Sequence, residues 1–167
     1  MGEIKSTLDL IMERTKNLTM SSEEKEEIRR QEWLKKTRGW IQKFLDDLAD
    51  TSRVKTEILD KEPPSGWEKI LKKELVEGLD PDGNNEKRLQ LIKTLLALPS
   101  EPYREVLASF TQQVEQQKDY FADVLKKRLS VQGLSGSAVV PNLDPDPSWK
   151  HFYEQGIQAC RDKIAGL

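Results

Sequence analysis

The residues best suited by type and spacing to do chemistry lie in one stretch, Gly133-Leu134-Ser135-Gly136-Ser137-Ala138-Val139-Val140-Pro141-Asn142-Leu143-Asp144-Pro145-Asp146-Pro147. Glycines beside serines can turn backbone amides toward an anion. Gly133, Ser135, Gly136, Ser137 and Asn142 therefore form a candidate small-ligand or anion site. A connection this long without secondary structure is uncommon in a small helical protein and asks for a reason. Its other reading is a tether that lays Val139, Val140 and Leu143 on the core. A nucleophile elbow requires G-x-S-x-G, but Gly136 follows Ser135 directly and Ser137 stands in place of the second glycine. The strand–turn–helix setting is also missing, as is the Gly-Lys-Ser/Thr ending of a phosphate-binding P-loop.

Other chemistry-bearing groups are scattered. Asp80, Asp82, Asn84 and Glu86 alternate like the opening of a calcium loop, yet the sixth and twelfth positions hold Asn85 and Leu91, not glycine and glutamate. A turn followed by a helix cap explains these residues. The single cysteine, Cys160, and single histidine, His151, cannot form a zinc site. Carboxylates sit in mixed-sign helix faces, with Glu26-Arg30 and Glu32-Lys36 at the spacing of surface pairs. No acid is isolated among apolar residues, where a raised pKa would suit acid–base work. The sequence offers no catalytic residue, no metal ligands and no cofactor motif, and the expectation is a protein that is not an enzyme.

Trp33 and Trp40 lie seven residues apart on one helix face, with Arg29, Lys36 and Lys43 nearby. Aromatics among cations can stack on nucleic-acid bases, but Asp46, Asp47 and Asp50 follow and would repel a phosphate backbone. Burial of Trp33, Trp40 and Phe44 against another helix, within the chain or in a dimer, is the better reading.

Helices must position all of these groups. Ile4, Leu8, Ile11, Met12 and Leu18 follow helical spacing, in a short helix ending near Asn17. Ser21 and Ser22 followed by Glu23 and Glu24 mark the next start. That helix is expected to run to about Lys61, where Pro63-Pro64 stops it. At roughly 60 Å it exceeds what a compact domain of this size covers, so it bends at Gly39, breaks near Thr51-Ser52, or projects toward a partner. Ser65 caps a short helix ending at Gly78, and Asn84 or Asn85 caps the apolar helix through Leu89, Leu91, Ile92 and Leu95. After Pro99 a second long helix begins at Ser100 and runs to about Val131. Ser148 caps the last helix, which carries Trp149, Phe152, Tyr153, Ile157, Cys160 and Ile164. The expected fold is all-α, an irregular bundle of about six helices built around two long amphipathic ones. It forms a single helical domain over 1–167: an N-terminal arm (1–62), central helices (65–132), the long loop (133–147) and a C-terminal helix (148–167).

Composition agrees. With 34% charged and 36% hydrophobic residues among 167, the core must be narrow. The formal charge of −2 gives no global pull toward nucleic acid or an anionic membrane. No apolar run reaches a membrane span, and Glu3, Asp9, Glu13 and Arg14 interrupt any signal-like segment. Met1-Gly2-Glu3-Ile4-Lys5-Ser6 fits the sparse myristoylation pattern but reads better as a helix start. Asn17-Leu18-Thr19 is a glycosylation sequon by spelling alone. The cytoplasm is the expected location.

The opening Met1-Gly2-Glu3-Ile4-Lys5-Ser6-Thr7-Leu8-Asp9-Leu10-Ile11-Met12-Glu13-Arg14-Thr15-Lys16 resembles that of small, functionally uncharacterised bacterial helical proteins, as does the Gly133–Asn142 loop. That likeness covers most of the chain and implies no function. Val124-Leu125-Lys126-Lys127 through Gly133-Leu134, with Asp146-Pro147-Ser148 beyond, is similar to the junction in GrpE nucleotide-exchange co-chaperones. Those join long paired helices to a distal domain that is mostly β, whereas this tail ends in an amphipathic helix. The functional expectation is a non-enzymatic interaction or assembly protein, a homodimer or bound to another protein. The alternatives are a ligand or anion binder using residues 133–147, or a co-chaperone-like adaptor.

Overall fold

Charge-rich helices with narrow apolar stripes must fold back on one another to make a core, and among the described residues the chain does so after Leu45. The computed structural model describes Ile11, residues 21–59 and residues 62–167. Apart from Ile11, which is helical, the helix expected over Ile4 to Asn17 lies outside the described residues, as do the Met1–Ser6 pattern and the Asn17 sequon. Among the described residues there are six helices and no strand: α1 (Ser22–Leu45), α2 (Thr51–Leu59), α3 (Trp67–Glu77), α4 (Glu86–Leu96), α5 (Glu101–Val131) and α6 (Pro147–Ala165). The all-α reading is correct, with α1 and α5 as the two long helices. The chain divides into two compact units, Met1–Ile70 and Leu71–Leu167, the division falling inside α3.

In the first unit, Ser21 and Glu24 form a reciprocal capping box at the start of α1, with side-chain to backbone bonds of 3.2 and 2.8 Å. The helix does not continue to Lys61. It ends in a Schellman turn: the Leu48 amide donates to the Lys43 carbonyl at 2.8 Å and the Asp47 amide to Phe44 at 3.2 Å. Asp47 occupies the left-handed position, φ +59°, where glycine is usual and aspartate is among the better-tolerated substitutes. Asp50 then accepts from the Arg53 amide at 2.7 Å and caps α2. Gly39 lies inside α1 and breaks nothing.

The reversal packs α2 antiparallel on α1. Val54 and Ile58 are fully buried, and Trp33, Ile41 and Phe44 face them from α1. The Trp33 indole donates to the Ile58 carbonyl at 3.2 Å, and its ring meets Trp67 edge-on with centroids 6.5 Å apart. Arg29 reaches the Glu62 carboxylate and carbonyl, both at 3.1 Å, at the open end of the hairpin.

In the second unit, Leu71, Leu75, Leu89, Leu91 and Ile92 supply fully buried aliphatic core. Asn85 does not cap α4 with its side chain. It is buried and holds the preceding turn instead, accepting from the Asp80 amide (2.9 Å) and donating to the Asp80 and Gly83 carbonyls (2.7 and 3.1 Å). Asn84 takes the first helical amide, Glu86 N–H, at 3.0 Å. Helix α4 ends at Ala97, which is exposed and left-handed at φ +52°. Ser100 occupies the N-cap of α5 without a capping side-chain bond; its carbonyl accepts from the Arg104 amide at 3.1 Å. The Arg104 guanidinium pairs with both Glu86 oxygens at 2.5 and 2.6 Å.

Two substitutions test these assignments by urea unfolding. Ala97→Gly, which relieves an L-residue of left-handed strain at an exposed position, raises stability by about 0.5–1 kcal/mol. Trp33→Ala empties the centre of the α1–α2 seam and strands the Ile58 carbonyl, lowering stability by about 3–5 kcal/mol.

Candidate functional site

Helices α5 and α6 pack antiparallel through an aromatic seam. Phe121 of α5 meets Trp149 edge-on at 5.6 Å and Phe152 at 6.0 Å; Trp149 stacks on Tyr153 at 5.8 Å, and Tyr153 reaches back to Phe110 at 6.2 Å. Gly156 clears room for Phe110, since a Cβ there would approach the ring to 3.1 Å. The start of α6 is fixed by Asp146, not by Ser148: its carboxylate accepts from the Ser148 and Trp149 amides at 2.9 and 3.0 Å, with Pro147 in the first turn. The same carboxylate lies 3.5 Å from Arg128 near the end of α5. Cap and ion pair together tie the end of one helix to the beginning of the other.

The 133–147 loop crosses this helix pair and walls a groove of about 810 Å³. Val114, Ala122, Leu143, Trp149 and Tyr153 supply its apolar surface, and Leu143 is buried, anchoring the loop. The rim carries three cations, Lys118, Lys126 and Lys150, and three carboxylates, Asp119, Asp144 and Glu154. Ser137 and Asn142 line the groove; the Asn142 side chain accepts from the Asp144 amide at 3.0 Å, turning the loop toward α6.

The other loop residues singled out from sequence are placed differently. Gly133, at φ +84°, is the left-handed residue of a second Schellman turn: its amide donates to Ser130 and the Leu134 amide to Leu129, each at 3.0 Å. It ends α5. Ser135 and Gly136 line a smaller pocket of about 350 Å³ beside Lys126 and Lys127. The five residues therefore do not all line one cavity. Sequence reasoning passed over Lys118, Lys126, Lys127 and Lys150 because each looked like an ordinary solvated helix charge. Trp33 and Phe44 are buried within the first unit, and Trp40 is half-buried under Lys43 at 4.0 Å and Arg53 at 5.6 Å from its ring centroid.

Tyr153 is the groove residue with chemistry to weigh. Burial, then a hydrogen bond to the Asp82 carboxylate, pushes its phenol up to about 12. That moves it away from the range useful for acid–base catalysis near neutrality. Burial likewise pushes the Cys160 thiol up, so it is not activated as a nucleophile. His151 is exposed. Among the described residues no cluster of His, Cys, Asp or Glu is arranged to hold a metal, and no helix is long and apolar enough to cross a membrane. No protein-family model matches the chain, and neither a curated protein nor a solved structure shows significant similarity to it.

The seam yields two measurements. Asp146→Ala removes cap and ion pair together and lowers stability by about 1–2 kcal/mol in urea unfolding. The native state keeps the Tyr153 proton to about 12, against an ordinary value of 10.0. Its contribution is therefore complete below pH 10 and is lost as pH rises toward 12. Stability of the native chain should fall more steeply across that window than stability of Tyr153→Phe, measured by unfolding at each pH.

Proposed function

We propose that this chain is a non-enzymatic interaction protein whose Leu71–Leu167 unit receives an amphipathic segment of a protein partner. The groove between α5, the 133–147 loop and α6 is the docking site. The observation that carries this reading is its composition: an apolar, partly aromatic floor under a rim with three charges of each sign. Amphipathic helices laid in grooves use such a floor for their apolar face. Half-exposed aromatic rings such as Trp149 are the side chains most enriched at contact hot spots. A charge-balanced rim suits a peptide with both signs on its flanks, and it disfavours a strongly charged ligand. The cytoplasm is the compartment that fits, since the single cysteine is buried and unpaired.

A second copy of the chain is the simplest such partner. Light scattering would then give about twice the monomer mass of 19.2 kDa, and Ala122→Arg would return the protein to monomer. For a different partner, selection from a displayed peptide library on the intact chain should enrich sequences with apolar residues at helical spacing. Ala122→Arg, which places a long cation over the floor, should weaken those peptides by at least about tenfold with the helical spectrum unchanged. A monomer from which no peptide is enriched over the Ala122→Arg control rules the groove out as a docking site.

A further inference from the structure

The far end of α5 and the loop after it, as far as Leu143, carry cations without acids. Residues 124 to 143 contain Lys126, Lys127 and Arg128 and no acidic residue, within a chain whose formal charge is −2. Arg128 is engaged by Asp146, whereas Lys126 and Lys127 have no ion pair among the described residues. Both border the pocket of about 350 Å³ with Ser130, Leu134, Ser135 and Gly136. Leu134, 57% exposed, lines this basic pocket, and Val131 (89%) and Val140 (87%) are the chain neighbours of its lining residues Ser130 and Val139; these are the three most exposed large aliphatic side chains described in the second unit. Cations in the last turn of a helix offset its negative end, which accounts for the lysines but not for aliphatics held in solvent. Aromatics that could stack on bases do not line the pocket. Protruding aliphatics beside lysines and serine hydroxyls match the boundary of a bilayer, with apolar groups below and phosphate oxygens above.

We propose that the distal end of α5 and the loop after it form a peripheral docking surface for an anionic phospholipid bilayer. Lys126 and Lys127 meet headgroup phosphates there, with Ser130 and Ser135 as hydrogen-bond donors, while Val131, Leu134 and Val140 enter the acyl boundary. This departs from the expectation drawn from overall charge, because the attraction is local. Lys126 and Val140 also line the groove, but Lys127, Val131 and Leu134 do not, so variants at those three test this surface apart from the groove reading.

The test is co-sedimentation of the full chain with phosphatidylcholine vesicles, with and without about a third phosphatidylserine, at low and physiological salt. The proposal expects pelleting only with phosphatidylserine, weakening with salt. Lys127→Glu and the double variant Val131→Ser/Leu134→Ser should each reduce binding by about tenfold, with near-ultraviolet dichroism and partner-peptide binding unchanged. No pelleting at low salt, or wild-type pelleting by Lys127→Glu, overturns it. Two further outcomes also overturn it when vesicles are not bound. Thermal stabilisation by millimolar inorganic phosphate would reassign the pocket to a free anion. Retention of an acidic peptide by the native chain but not by Lys127→Glu would reassign the surface to a protein.

Discussion

The aromatic seam between α5 and α6 is the interaction on which the second unit's surface depends. Phe110 and Phe121 alternate with Trp149, Phe152 and Tyr153 across the antiparallel pair. Each such ring pair contributes about 0.5–1.5 kcal/mol beyond its buried area. Beyond Phe110, α5 has no fully buried residue, and its distal two-thirds packs on α6 and borders the loop. The Asp146 cap and its Arg128 ion pair set the register at one end, and buried Cys160 and Ile164 mark the other. An aromatic seam this thin leaves ring faces partly open, and that incomplete burial gives the groove its apolar floor.

Charge sorts the two surfaces that result. Along the groove the signs alternate and cancel, so recognition there must come from shape and apolar contact. Toward the end of the same helix the carboxylates stop, and Lys126, shared with the groove rim, and Lys127 border a small pocket lined by Ser130, Leu134, Ser135, Gly136 and Val139. Formal charge summed over the chain hides this division, because the acidic residues concentrate elsewhere, as in the first turn of α1. Overall charge describes solubility and long-range attraction; a docking surface is decided by charges within about a Debye length of it.

Helix starts and stops were legible wherever the local residue chemistry followed its usual preference. The start of α1 at Ser21 and Ser22, the stops at Pro63-Pro64 and Pro99, and the end of α5 near Val131 all follow from side chains acting on their own neighbourhood, whereas Gly133, the left-handed residue that ends α5, was read only as part of a ligand site. The break after Leu45 was missed as a definite end because aspartate, not glycine, takes the left-handed position at Asp47. The cap at Ser148 was misassigned, and Asn84 and Asn85 stayed alternatives, for a related reason. Several polar residues in a row could each satisfy the free amides, and packing chose Asn84 and Asp146. The reading of the loop as a tether that lays Val139, Val140 and Leu143 on the core holds for Leu143, which is buried, but not for Val140, which is 87% exposed. The loop's partners on α5 were not legible, being distant in sequence and outwardly ordinary.

By itself the sequence determined that this protein is all helix, where most helices begin and end, and which stretch is irregular. Those properties depend on contacts within a few residues, where periodicity, capping groups, proline and glycine act directly. The tertiary structure decided that α1 and α2 form a hairpin with Trp33 and Phe44 inside it. It also decided that Ser137 and Asn142 face Trp149 and Tyr153 across a groove while Ser135 and Gly136 join Lys126 and Lys127. The physical reason is that side-chain neighbours across a helix pair are set by packing over long sequence separations. A single sequence records the apolar stripe of each helix but not which other stripe covers it.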